Sequence, residues 1–327
     1  MKAVLLKDFG DVDQLYLGET EAPTLLDHSI RVKVVATALN RADTLQRKGF
    51  YPPPPGASSV LGLEMAGDVI EVGVKVTKWK IGDRVFGLLA GGGYAEQVVI
   101  HEDVAMPMPD DMTYIDAAAI PEVFLTAFQA LSYLAKLQPS EQVLIHAGAS
   151  GVGTAAIQLA KAMGAGNVIV TASKGKHQIC KDLGADYPID YANQDFQEEV
   201  AKITDGKGVD VIMDFLAAAY FQKNINSLNF DGRMIMLAMM GGMNLENVNI
   251  ANILRKRIRI IGSTLRARSL DYKIGLTRDF STIAMTWFAD GTLKPVVDSI
   301  YSWSSVKAAH RHMEANKNKG KIIMTID

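Results

Sequence analysis

The segment Val143-Leu144-Ile145-His146-Ala147-Gly148-Ala149-Ser150-Gly151-Val152-Gly153-Thr154 constrains this chain most. An apolar run passes straight into a turn of small residues. The turn opens a stretch in which Ala155, Ala156, Leu159, Ala160 and Met163 recur at spacings of three and four, the period of a buried helix face. Glycines at such a joint let the backbone turn tightly and approach a pyrophosphate, and the helix N-terminus offers free N–H groups at its positive end. The spacing is not a strict Gly-x-Gly-x-x-Gly, and any tight strand-to-helix turn would share some of its features. The surroundings favour dinucleotide binding. Val168-Ile169-Val170, Val209-Asp210-Val211-Ile212-Met213 and Met234-Ile235-Met236-Leu237 read as further buried strands, with amphipathic stretches between the early ones. Strands alternating with helices imply a parallel sheet.

Before Pro121 the texture differs. Val32-Lys33-Val34-Val35-Ala36 and Val69-Ile70-Glu71-Val72 have strand-like composition, and Gly82-Asp83 and Gly91-Gly92-Gly93 supply turns. Pro52-Pro53-Pro54-Pro55 must run extended, because four prolines cannot occupy a helix interior. From about Ser263 the pattern becomes irregular, with helices expected near 273–289 and 304–315 and a last strand over 321–326. The 327 residues leave room for about two domains.

Composition removes several functional classes. Lys and Arg total 34 against 36 Asp and Glu, a net charge of −2, so no general positive field exists to hold a nucleic acid. The single cysteine, Cys180, makes neither an internal disulfide nor a multi-cysteine zinc site. The apolar run at the N-terminus is too short for a signal peptide, and no run of about 18 apolar residues is present to span a membrane. A reducing, cytoplasmic setting is expected.

The cofactor's sugar leaves a second signal. An NAD-binding chain usually places an acid about 20 residues past the glycine turn, to accept from the ribose 2′-hydroxyl. Here the second strand ends Val170-Thr171-Ala172-Ser173-Lys174-Gly175-Lys176, with no acid. A serine hydroxyl and two lysines suit a 2′-phosphate instead, so NADPH is the expected cofactor.

These residues, with Ala38-Leu39-Asn40-Arg41-Ala42-Asp43, Gly62-Leu63-Glu64-Met65-Ala66-Gly67, Lys80-Ile81-Gly82-Asp83-Arg84-Val85 and Gly320-Lys321-Ile322, resemble the medium-chain dehydrogenase/reductase superfamily over essentially the whole length. The resemblance is to its zinc-free, zeta-crystallin-like quinone oxidoreductase branch. It implies an α/β chain in which a doubly wound Rossmann sheet (122–263) is inserted into a GroES-like β-rich catalytic domain (1–121 and 264–327). Zinc-dependent members carry a catalytic Cys where this chain has Asn40 and a His where it has Leu63, so no metal is expected and Glu64 reads as structural.

The resemblance also implies site residues. Ser150, Gly151, Val152 and Gly153 would face the pyrophosphate, Ser173 and Lys176 the 2′-phosphate, and Tyr191 the adenosine side. Asn40, Tyr51 and Thr126 would lie near nicotinamide and substrate. Met239, Met240 and the segment at Thr264 and Leu265 would offer backbone groups to the carboxamide, and Asn316 and Lys317 would close over the cofactor. Blander readings stand beside these: Thr126 bonding back within its helix, Asn40 capping a helix, and Met239 and Met240 as plain loop or core.

Three functions are weighed. The first is NADPH-dependent hydride or one-electron transfer to a quinone, an acceptor electrophilic enough to need no metal. The second is reduction of an enone or 2-enoyl thioester with Tyr51 as proton donor, since Gly49-Phe50-Tyr51-Pro52 resembles the context of the enoyl-reductase tyrosine. The third is a non-catalytic NADPH-binding sensor or structural protein. Self-association into a homodimer or homotetramer through an edge strand near 234–237 or 258–262 is expected from the family. His146 reads as an interior residue, His310 and His312 do not share a helix face, and Arg257 and Arg259 read as alternate residues on the solvated side of one strand.

Overall fold

The computed structural model describes residues 1–326. In chain order the strands are β1 (Lys2–Leu6), β2 (Leu15–Glu19), β3 (Ser29–Leu39), β4 (Glu64–Val72), β5 (Arg84–Leu88), β6 (Gln97–His101) and β7 (Ala105–Pro107). There follow β8 (Val143–Ile145), β9 (Val168–Ala172), β10 (Tyr187–Asp190), β11 (Val209–Asp214), β12 (Leu228–Met236), β13 (Arg259–Gly262), β14 (Val297–Ser302) and β15 (Lys321–Thr325). The chain divides into two units. One holds residues 1–125, 265–289 and 294–327, and the other, inserted in it, holds 126–264 and 290–293.

In the first unit β1 and β2 form a hairpin, and the main sheet runs β14-β15-β3-β4-β5-β7, with β6 also paired to β3. The long β3 is antiparallel to β4, β6 and β15, so it forms the spine of the sheet. The register places Ile322 of β15 opposite Leu39 of β3. That brings the end of the chain beside Asn40, the residue after β3. The 20-residue helix Leu270–Ala289 packs Phe280 against Phe124, ring centroids 6.4 Å apart, in the apolar interior of this unit.

The inserted unit is a parallel six-stranded sheet in the order β10-β9-β8-β11-β12-β13. All its pairings are parallel. Strands buried on both faces need a continuous apolar run, which Val168-Ile169-Val170 and Val211-Ile212-Met213 provide at zero exposure. The order reverses direction between β8 and β11. Ligands of open α/β sheets bind at such a switch point, outside the carboxyl ends of the strands.

Two expectations are corrected. The run at 234–237 belongs to a nine-residue strand between β11 and β13, so it is no edge; β13 and β10 are. Arg257 precedes β13 in a left-handed conformation (φ 55°) and pairs with Asp231, so it does not alternate with Arg259 along one strand. Among the described residues no helix is long and apolar enough to cross a membrane.

Candidate functional site

At the switch point β8 ends in the glycine-rich turn. Ser150 has extended backbone and caps the helix Gly151–Ala162, its Oγ accepting from the Gly153 N–H at 3.0 Å. A Cβ on Gly153 would lie 2.4 Å from the Ala147 carbonyl oxygen and 2.6 Å from that of Gly148, so only glycine lets the helix start this close to the turn. The amides of Gly151 and Val152 open the helix with no carbonyl four residues back to accept them, and both residues are half-exposed. An unblocked cradle of amides at a helix N-terminus fits a dinucleotide pyrophosphate.

The neighbouring strand ends carry the other expected cofactor residues. Ser173 follows β9, and its hydroxyl caps nothing. Lys174 and Lys176 share its short helical turn. Asp190, at the end of β10, turns its carboxylate into its own loop, accepting from Asn193 Nδ2 (2.7 Å) and the Ala192 N–H (3.2 Å). Tyr191 stands next to it, 52% exposed. Met239 and Met240 follow β12 with exposed side chains, which excludes the core reading. The Met240 N–H already donates to the Phe215 carbonyl at 3.0 Å, so this segment presents side chains more than amides.

In the other unit a buried ionic lock surrounds Asn40. Lys321, the first residue of β15, donates from Nζ to the Leu39 carbonyl (2.9 Å), Asn40 Oδ1 (2.7 Å) and Glu64 Oε1 (2.7 Å). Asn40 Nδ2 donates to the same Glu64 oxygen at 2.7 Å, and Glu64 Oε2 accepts from the Glu122 N–H at 2.9 Å. Glu64 thereby neutralises Lys321 and caps the helix Pro121–Phe128. Asn40 occupies a helix N-cap position in a capping box with Asp43, and its side chain serves the lock as well. Asp43 reaches back to the Asn40 N–H (2.7 Å) and also accepts from the Gly62 N–H and the Tyr94 hydroxyl. Burial raises Asp43 to about 6. Among the described residues no group of three or more His, Cys, Asp or Glu is arranged to hold a metal.

A second cluster in this unit holds Tyr51, Arg266, Glu122 and Lys273. The Arg266 guanidinium lies 5.4 Å from the centre of the Tyr51 ring, and its Nε donates to the Ala90 carbonyl at 2.8 Å. Burial foremost, then the negative Glu122, raises the Tyr51 pKa, so its hydroxyl stays a donor at neutral pH. Glu122 has one carboxyl oxygen without a partner. Its burial, and then the charge of Glu64, push it up to about 8. Lys273 Nζ donates to the Arg266 carbonyl at 2.7 Å. Glu122, Lys273 and Lys321 were not singled out from sequence as site residues.

Glu122 makes a pH prediction. Unfolded, it ionises near 4.5; folded, near 8. Between those values the folded protein keeps a proton that the unfolded chain has lost. Stability therefore falls as pH rises through this window, by about 1.4 kcal/mol per unit from this group, and levels off above it. Asp43 acts with the same sign over a narrower window. In denaturant titrations from about pH 5 to about pH 8, Glu122→Gln should lose clearly less stability than the wild type. Parallel losses would remove Glu122 as the cause.

The remaining residues are placed as follows. Thr126 follows Glu122 by one turn of the same helix and is half-buried. Leu265 is 5% exposed. Asn316, at φ 55°, accepts from Arg41 Nη2 at 2.6 Å, and Lys317 next to it is exposed. His146 is fully buried between Thr171 Oγ1 (3.0 Å) and Asn224 Oδ1 (2.7 Å), and burial lowers it to about 4. It is a satisfied interior residue. His310 meets Arg47, whereas His312 meets Tyr301 and Asp298.

Known proteins share this architecture. The family model for the alcohol dehydrogenase GroES-like domain matches residues 26–110, and that for zinc-binding dehydrogenase matches 151–287. The synaptic vesicle membrane protein VAT-1 homolog of Danio rerio is 32% identical over 342 residues, 100% of this chain and 70% of that protein. The crystal structure of the Escherichia coli quinone oxidoreductase complexed with NADPH is 28% identical, with a TM-score of 0.89 over 99% of this chain and 100% of that one. CurK enoyl reductase is 29% identical, with a TM-score of 0.89 over 100% and 99%. The fold is thus the GroES-like domain with an inserted nicotinamide-dinucleotide-binding sheet, and the chain belongs to the medium-chain dehydrogenase/reductase superfamily of oxidoreductases.

Proposed function

We propose that the protein is an NADPH-dependent, zinc-independent reductase that passes hydride or single electrons to quinones. One observation carries the reading: Lys321, a cation, already holds the Glu64 carboxylate and the Asn40 amide together. With an ammonium group in that place, the acceptor must bring its own electrophilic character, and a quinone does. The protein's part is then mainly positioning. On this reading residues 1–121 and 264–327 supply the acceptor site, with Asn40 and Tyr51 facing it. Residues 122–263 hold the cofactor: Ser150, Gly151, Val152 and Gly153 take the pyrophosphate, Ser173 and Lys176 the 2′-phosphate, and Tyr191 the adenosine side. The reduced nicotinamide supplies the hydride when bound. Within the quinone-reductase branch, Asn40-Arg41-Ala42-Asp43, Pro53-Pro54-Pro55-Gly56-Ala57-Ser58 and Met313-Glu314-Ala315-Asn316-Lys317-Asn318 most resemble the tumour-suppressor-inducible quinone oxidoreductase.

Tyr51 supports a second reading. Its hydroxyl is protonated at neutral pH and lies beside a cation, an arrangement suited to protonating the α-carbon of an enone or enoyl thioester. A screen of NADPH oxidation separates the two. Quinones should be reduced by the wild type and, largely undiminished, by Tyr51→Phe, whereas any enone or enoyl-CoA turnover should disappear in the variant. Severe and equal loss on both acceptors would sink the quinone assignment. Saturation by NADH but not by NADPH would sink the roles given to Ser173 and Lys176.

A further inference from the structure

The Arg266 guanidinium has a hydrogen-bonding deficit that its own unit leaves unfilled. Only 3% of the residue is exposed. Its Nε bonds to the Ala90 carbonyl, but neither Nη1 nor Nη2 has an acceptor, and neither reaches solvent. Taking such donors out of water unpaired costs about 1–3 kcal/mol each.

The charged groups around it do not fill the gap. Asp43 already accepts from the Asn40 N–H, the Gly62 N–H and the Tyr94 hydroxyl. Glu122 makes no ion pair with the guanidinium and is mainly neutral at pH 7. Lys321 is fully engaged with Glu64 and Asn40, and Lys273 adds positive charge while donating to the Arg266 carbonyl. The cluster is left with the two unpaired Nη groups of a planar fork and a net positive field. Over the guanidinium lies the Tyr51 ring, itself half-exposed.

We infer that Arg266 is an oxyanion-binding site of the catalytic unit: its two Nη groups take the oxygen of a planar conjugated anion, a phenolate or enolate, that stacks against or displaces the Tyr51 ring. A guanidinium fork matches such an oxygen in geometry and charge, and a half-exposed aromatic cover gives a flat ligand a way in. The site is a matter of binding and stands whether or not quinones are the physiological acceptors. Under the quinone reading it would hold the oxygen that carries negative charge once the ring is reduced.

The test uses 4-nitrophenol, whose absorbance reports its own ionisation, on the full-length protein without turnover. The bound probe should titrate at least about one pH unit below the free probe, a tenfold preference for the anion. Arg266→Gln should abolish that shift, and Arg266→Lys, which keeps the charge without the fork, should retain part of it. Should the Gln variant not fold, the Lys variant and the wild-type titration still decide. No saturable binding to the wild type, an unshifted titration, or the same shift in the Gln variant would each overturn the inference. Because no cofactor is consumed, these outcomes are independent of whether quinones are reduced.

Discussion

Lys321→Met should destabilise the unit that holds β3, β4 and β15 by about 3–5 kcal/mol, the usual result of leaving one member of a buried ion pair alone. Lys321 is 3% exposed and Glu64 is fully buried. Removing the ammonium takes one donor from Glu64 Oε1 and leaves the carboxylate with only the Asn40 amide and the Glu122 N–H. The Leu39 carbonyl and Asn40 Oδ1 each lose the Lys321 donor at the same time. The damage should spread to the helix Pro121–Phe128, whose start Glu64 caps, and so to Glu122. A charge-neutral double variant, Glu64→Gln with Lys321→Met, discriminates the cause. If the penalty is an unpaired buried charge, the double variant should regain much of the loss. Thermal unfolding of the three proteins, read on the transition of that unit, checks this. A double variant as unstable as Lys321→Met alone would mean that the lysine stem, through packing, matters more than its charge.

The lock also shows where reading the sequence runs out. The inserted sheet was legible, because strand and helix periodicities are local and survive in a linear string. So was the glycine turn, whose meaning is set by a dozen consecutive residues. Lys321 and Glu64, by contrast, are 257 positions apart, and only the antiparallel pairings of both β15 and β4 with β3 bring them together. Gly320 helps to set that approach, at φ 84° and with a Cβ that would lie 2.3 Å from the Val296 carbonyl oxygen. Pairing over such distances leaves no local trace. Glu122 carries no signal in the sequence, where a lone glutamate at a helix start reads as a solvated, dipole-favoured residue. Its burial beside Glu64 is a tertiary fact. Of the two edge candidates, the one near 258–262 is an edge and the one near 234–237 is not: chain order does not give spatial order, and β13 lies outside β12 in the sheet. Arg266 gives no local signal either: its missing acceptors emerge only when every neighbour is placed.

Gly153→Ala should cost both dinucleotide affinity and stability, because one added methyl group meets backbone rather than a side chain that can move. The ideal Cβ falls 2.4 Å from the Ala147 oxygen and 2.6 Å from the Gly148 oxygen, each far inside contact distance. Relief requires the helix Gly151–Ala162 to shift away from the turn. That movement disturbs the Ser150 cap and carries the Gly151 and Val152 amides off the position proposed for the pyrophosphate. Overpacking of this kind costs about 1–3 kcal/mol, and amide donors displaced by even a fraction of an ångström lose much of their grip on an anion. NADPH affinity should therefore fall by more than about tenfold, a loss of at least about 1.4 kcal/mol of binding. Gly275→Ala provides the contrast. It lies inside the helix Leu270–Ala289 with nothing within 4 Å of its ideal Cβ, so the substitution should leave NADPH binding unchanged and raise helix stability by about 0.5–1 kcal/mol. NADPH titration and thermal unfolding of both variants check the pair. A Gly153→Ala protein with wild-type affinity and melting temperature would show that the turn relaxes freely, and the close approach of helix and turn would then lose its claim to organise the cofactor site.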